Sequence, residues 1–211
     1  MYSGREMILI LSGGIGSGKS VAAGMLNEMY GFPVYCADRR VKELYEVHPT
    51  LLGEIERELG CVLRDDKGRF VPSVLAREIF AEGGAMEKVE ALVFPVLKED
   101  FGKWMGENPS GVHIFESATI LEKEFFRGFG DLVLIVTAPF EVRLARAMER
   151  DNASESQVRA RMRKQNIFMD ISQLEHHCEL PYVLCENAGT KEELRSNLAE
   201  TMVKQGLTKM L

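Results

Sequence analysis

Short apolar runs alternate along this chain with longer stretches in which apolar residues return every three or four positions. The runs are MILIL (7–11), PVYC (33–36), VHIF (112–115), LVLIVT (132–137) and YVLC (182–185). Predominantly apolar runs of this length, rich in branched side chains, predict five buried strands. Helical spacing predicts helices over 21–30, 41–59, 73–80, 86–104, 141–150 and 192–204. Strand and helix alternating in this way define an α/β chain, with a parallel five-stranded sheet flanked by helices.

The alternation breaks once. Between Asp38 and Gly111 the chain is mostly helical and far longer than one crossover between parallel strands requires. RDDKGRFVP (64–72) is a turn-rich interruption within it. The excess predicts an inserted helical domain at 60–110, on a core formed by 1–59, 111–142 and 171–211. An extra helical pair that merely covers the sheet is the alternative; long insertions in compact domains are usually functional.

Composition narrows the class. The chain has 211 residues, 45% of them hydrophobic, enough for a full core, and a formal net charge of −6. An acidic chain lacks the field that nonspecific nucleic-acid binding requires. No segment approaches the roughly 18 apolar residues of a membrane span, and the run after MYSGRE is too short for a secretory signal. Cys36, Cys61, Cys178 and Cys185 form no C-x-x-C pair, so reduced thiols and a cytoplasmic location are expected. His176, His177 and Cys178 are adjacent, but neighbouring side chains diverge and no second ligand pair has zinc spacing. The residues set no oligomeric state.

The strongest chemical signal is GGIGSGKS (13–20), which fits G-x-x-x-x-G-K-[ST] between a predicted strand and a predicted helix. Glycines allow the backbone to aim successive N–H groups at phosphate oxygens, and the helix starting there adds its positive end. Gly14, Ile15, Gly16, Ser17, Gly18, Lys19, Ser20 and Val21 are therefore the expected ATP cradle. Lys19 reaches the β- and γ-phosphates, and the Ser20 hydroxyl is a ligand for Mg²⁺ carried with ATP. The absence of an N-K-x-D motif disfavours a GTPase, and small size disfavours a mechanical ATPase.

Two carboxylates end strands on the edge where open α/β sheets hold ligands: Asp38 after VYCA and Glu116 after VHIF. Asp38 either takes the proton of an acceptor hydroxyl or caps the following helix. Glu116 either holds Mg²⁺-bound water or the acceptor, or caps the following turn. In RLARAMERDNASESQVRARMRKQ (143–165), Arg143, Arg146 and Arg150 share one helix face. Such a face is either a phosphate clamp on a lid at 143–170 or a solvated charged surface. Arg146 and Arg150 are read as clamp residues, Arg159 and Arg163 as solvated.

Taken in order, these segments resemble the dephospho-CoA kinase family over nearly the whole length. GGIGSGKS resembles its cradle, VYCADRRVKELY its Asp-x-Asp segment, VLAREIF with VFPVL its acceptor region, IFESATILEKE its third strand, and PYVLCENAGT its last strand and loop. The resemblance implies transfer of the ATP γ-phosphate to the ribose 3′-hydroxyl of dephospho-CoA, the last step of coenzyme A synthesis. It implies Asp38, Lys19, Arg146 and Arg150 as catalytic, and Asn187 and Gly189 near adenine. Glu116, Glu122, Arg161 and Gln165 would serve the acceptor and the groups around it. Cys36, Pro72, Phe94 and Tyr182 depart from the family pattern, the first three at positions that bear on the acceptor. The rival readings are another small-molecule kinase, acting on a nucleoside monophosphate or sugar acid, and a non-catalytic ATP-binding module.

Overall fold

A computed structural model describes residues 6–81, 84–165 and 178–209 of the chain. Its residues divide into two compact units, 1–36 with 109–211, and 37–108.

The first unit is built on five strands: β1 (Met7–Ser12), β2 (Val34–Cys36), β3 (Val112–Glu116), β4 (Leu132–Thr137) and β5 (Tyr182–Glu186). They form one sheet of order β2-β3-β1-β4-β5, with every neighbouring pair parallel. The interior strands β3 and β4 are buried almost throughout, His113 of β3 included, whereas edge strand β5 leaves Leu184 exposed. Helices α1 (Lys19–Tyr30), α6 (Phe140–Asp151), α7 (Glu155–Arg163) and α8 (Lys191–Lys204) belong to this unit.

Side chains alternate across the strands, so each face has its own core. Met7, Leu9 and Leu11 of β1 join Ile114, Leu134 and Val136 under Ala22, Ala23 and Leu26 of α1 and Leu194, Leu198 and Met202 of α8. Aromatic packing also surrounds Phe115 of β3, whose ring lies 5.5 Å from Tyr35, 6.1 Å from Phe126 and 5.2 Å from Phe129. Local signals set the helix ends. Gly31 ends α1 in the left-handed region and donates to Asn27 O, while Thr190 and Glu193 form a reciprocal capping box at α8.

The second unit holds α2 (Ala37–Val47), α3 (Leu51–Leu59), α4 (Pro72–Phe80) and α5 (Ala85–Glu107). Here two expectations are corrected. The helix expected over 41–59 is two helices, because Pro49 disfavours helical geometry at the residue before it. His48 Nδ1 accepts the Leu51 N–H at the new start. The compact unit also begins at Ala37, so α2 and α3 group with the insertion rather than with the sheet. Within it α5 packs against α2, α3 and α4, and Arg40 makes a two-pronged ion pair with Asp100, Nε to Oδ2 and Nη2 to Oδ1, both at 2.7 Å. Among the described residues no helix is long and apolar enough to cross a membrane.

Candidate functional site

The parallel register puts Leu11, Cys36 and Glu116 in one row at the carboxyl edge of the sheet, since Glu116 pairs with both of the others. Beyond β1 the chain turns at once into the glycine-rich loop. Ser17 N–H donates to Gly14 O at 3.0 Å, and Gly18, with φ of 91°, sits at the N-cap of α1. A positive φ there suits glycine, and a Cβ on Gly18 would come within 2.2 Å of Asn187 Nδ2. Lys19 is half-buried as the first residue of α1, followed by the exposed Ser20 and Val21.

Ser20 Oγ donates to Glu116 Oε1 at 2.7 Å. Glu116 is only 5% exposed, so the strand end holds a carboxylate directly against the hydroxyl of the cradle. Glu116, read from the sequence either as a support for Mg²⁺-bound water or the acceptor or as a turn cap, thus faces Ser20. These are hard oxygen donors, and no group of three His, Cys, Asp or Glu among the described residues converges on a metal. That donor set suits Mg²⁺, which keeps water and phosphate oxygens and takes one or two protein oxygens.

The rear of the loop is gripped by residues far away in sequence. Gly16, at φ of 77°, lies so close to α6 that a Cβ would come 2.1 Å from the Arg143 carbonyl oxygen. Asn187 is buried, donates from Nδ2 to Ser17 O at 2.7 Å, and bonds through its backbone N–H to Thr137 O. Arg146 Nη1 in turn donates to Asn187 O at 2.8 Å, and its Nη2 reaches Gly189 O at 3.4 Å. Gln165, 8% exposed, accepts the Ile15 N–H on Oε1 at 2.8 Å.

The arginines expected to share one task are therefore separated by the structure. Arg143 is 6% exposed, and burial lowers its affinity for the proton. Arg146 braces the loop after β5. Arg150 is exposed and forks onto Asp151, with Nε to Oδ1 at 2.7 Å, and Arg161 Nη2 donates to Asp151 Oδ2 at 2.6 Å. Arg159 lies 4.9 Å over the Phe140 ring and pairs with Glu155, a surface role that matches its sequence reading. Glu122 is exposed in the turn Ile120–Glu122 and borders a cavity of about 250 Å³ with Phe126, Arg127 and Cys178. Asp38 lies within the first turn of α2, as its second residue rather than its cap, and is exposed. The bonds from Asn187 to Ser17 and from Gln165 to Ile15 have no local signal in the sequence. Residues 166–170 of the expected lid, and His176 and His177, lie outside the described residues. Cys178 donates its thiol to Leu180 O.

A phosphate cradle between the central strand and its helix, in a parallel sheet of this order with a helical insertion, defines a P-loop kinase. The sequence model described as dephospho-CoA kinase matches residues 7–192. A Porphyromonas gingivalis dephospho-CoA kinase is 37% identical over 155 residues, 74% of this chain and 75% of that protein. A Thermus thermophilus protein of known crystal structure is 26% identical, with a TM-score of 0.77 over 95% of this chain and 98% of that one. A Campylobacter jejuni dephospho-CoA kinase shares the fold at a TM-score of 0.57 and 18% identity, covering 94% and 97% of the two chains. This chain belongs to the dephospho-CoA kinase family.

Proposed function

We propose that the chain transfers the γ-phosphoryl group of ATP to the ribose 3′-hydroxyl of dephospho-CoA, giving coenzyme A and ADP. The observation that carries this reading is the family match across residues 7–192, with every fixed position of the cradle present. A bond forms between the 3′-oxygen and the γ-phosphorus while the bond from the β–γ bridging oxygen to that phosphorus breaks. The hydroxyl proton passes to Asp38, whose place in the first turn of α2 leaves its carboxylate exposed. The Ser20 hydroxyl and the Glu116 carboxylate beside it would hold Mg²⁺ carried with ATP, directly or through water, and the ion would supply charge neutralisation of the phosphates.

Lys19, leading α1, faces the β- and γ-phosphates, and the N–H groups of Gly16 to Val21 receive their oxygens. Arg146 and Arg150 stabilise charge in the transition state, Arg146 from its seat on the Asn187 loop and Arg150 after leaving Asp151. Asn187 and Gly189 border adenine. Glu122 and Arg161 act on the acceptor side. The unit 37–108 carries the acceptor, and a cytoplasmic location agrees with four free thiols.

ADP release from MgATP is the test, measured with dephospho-CoA and with adenosine monophosphate and shikimate as controls. Stimulation by dephospho-CoA alone is expected, and Asp38→Asn should lower kcat by about 10²- to 10⁴-fold while leaving nucleotide affinity intact. Near-normal turnover of Asp38→Asn would remove Asp38 as the base. Equal stimulation by a control acceptor would overturn the assignment of substrate.

A further inference from the structure

Among the contacts that grip the cradle, the one from Gln165 reaches a backbone N–H. In a glycine-rich phosphate loop the N–H groups are the ligand's donors. Ile15 N–H instead meets Gln165 Oε1 at 2.8 Å, from a residue 150 positions away and just past the end of α7. The side chain is nearly enclosed, at 8% exposed.

This contact settles which way the amide points. A donor N–H must meet the carbonyl oxygen, so the NH₂ of Gln165 occupies the other branch of the amide. With its carbonyl fixed on the cradle, the amide's remaining polar group is that NH₂, a donor with two N–H bonds. A donor pair is thus held beside Ile15, in the half of the loop that precedes Lys19 and Ser20. The neighbouring contacts make the placement rigid: the Arg143 carbonyl abuts Gly16, and Asn187 holds Ser17 O. Ile15, Gly16 and Ser17 are consecutive, so the α6–α7 hairpin and the loop after β5 fix this half of the cradle before any phosphate arrives.

We infer that Gln165 is a phosphate-binding residue of the nucleotide site, whose NH₂ donates to the terminal phosphate of a nucleoside triphosphate while its carbonyl holds Ile15. The inference deepens the kinase reading and rests on it. It moves Gln165 from the acceptor side to the ATP side. It also distinguishes the triphosphate from the diphosphate, because only the former carries the oxygen that this NH₂ would meet.

The test is binding of ADP and of a non-hydrolysable ATP analogue to the full chain, by calorimetry, for wild type, Gln165→Ala and Gln165→Glu. A lost hydrogen bond to a charged oxygen corresponds to about tenfold in affinity. Gln165→Ala should weaken the analogue about tenfold and ADP less than about threefold. Gln165→Glu keeps an oxygen for Ile15 N–H but replaces the donor by a negative charge, so it should hold the wild-type melting temperature and lose the analogue more steeply than ADP. Equal weakening of both nucleotides would reduce Gln165 to a structural latch and overturn the inference, as would no change in either. Binding needs no acceptor. A wild-type protein that binds the analogue but is not stimulated by dephospho-CoA would therefore fail the substrate assignment while still reading Gln165.

Discussion

Gly16→Ala gives the sharpest trial of how the cradle is built. An alanine Cβ would come 2.1 Å from the Arg143 carbonyl oxygen and 2.7 Å from its carbon, and both are backbone atoms that no rotamer change can clear. Either the loop or the start of α6 must retreat by about an ångström. Holding a non-glycine residue at φ of 77° costs about 1–2 kcal/mol, and forcing extra volume into packed backbone about 1–3 kcal/mol. The expected loss is about 2–5 kcal/mol, or a fall of roughly 5–15 °C in Tm for a chain of this size. An ångström of displacement also misaligns the N–H groups, so ATP affinity should fall by about tenfold or more. Gly24→Ala is the matched control. Gly24 lies on the exposed side of α1 with nothing within 4 Å of its would-be Cβ, so alanine should stabilise the helix by about 0.5–1 kcal/mol. Thermal unfolding and calorimetric titration with ATP read both variants. If Gly16→Ala melts within 2 °C of wild type and binds ATP normally, α6 does not seat against the cradle as described.

Three further outcomes are expected. Burial, aided by Glu90, pushes the Tyr45 hydroxyl up to about 12 from its ordinary 10.0, so the folded chain keeps a proton that the unfolded chain releases above pH 10; stability should drop by about 1.4 kcal/mol by pH 11 and the drop should shrink in Tyr45→Phe, measured by urea unfolding between pH 9 and 11. Among the described residues Ser17 Oγ is buried with no hydrogen-bond partner, so Ser17→Ala should leave Tm unchanged or raise it, and a loss above about 1 kcal/mol would reveal a bond from that hydroxyl. Glu116→Gln removes the charge that faces Ser20 Oγ, so the Mg²⁺ concentration for half-maximal turnover should rise about tenfold or more; an unmoved Mg²⁺ titration would take Glu116 out of the metal's surroundings.

What the sequence made legible depended on the range of the interaction. The five strands were readable because short runs such as β4 are apolar almost throughout and β3 is interrupted only by His113 before Glu116, and the starts of both match the predicted runs. Lys19 and Ser20 were readable because a phosphate loop is a local object, written in eight consecutive residues. The unit boundary was not, because α2 and α3 carry ordinary amphipathic patterns that suit a sheet face or a helical insertion equally. Gln165 and Asn187 came into view through family resemblance alone. Their contacts with Ile15 and Ser17 span 150 and 170 positions, and no periodicity encodes a pairing of that length. Arg143 shows the limit of a local rule: helical spacing grouped it with Arg146 and Arg150, and spacing alone gives no sign that it is buried, at 6% exposed, while Arg150 is not.

That separation of the arginines bears on how a phosphate clamp is stored before its ligand arrives. Asp151 holds Arg150 first and Arg161 second, and both guanidinium groups keep its carboxyl well below the usual carboxylate range. Arg150 and Arg161 are exposed, and surface pairs of this kind contribute little to stability. Exchanging either pair for a phosphate would therefore cost little, and Asp151 meanwhile gathers both guanidinium groups on one carboxylate. Arg146 is different. Its bonds to the carbonyls of Asn187 and Gly189 support the residue that holds Ser17, so moving it would loosen the cradle itself. On the proposed reading, Arg150 rather than Arg146 is therefore the arginine that can leave its partner without disturbing the cradle.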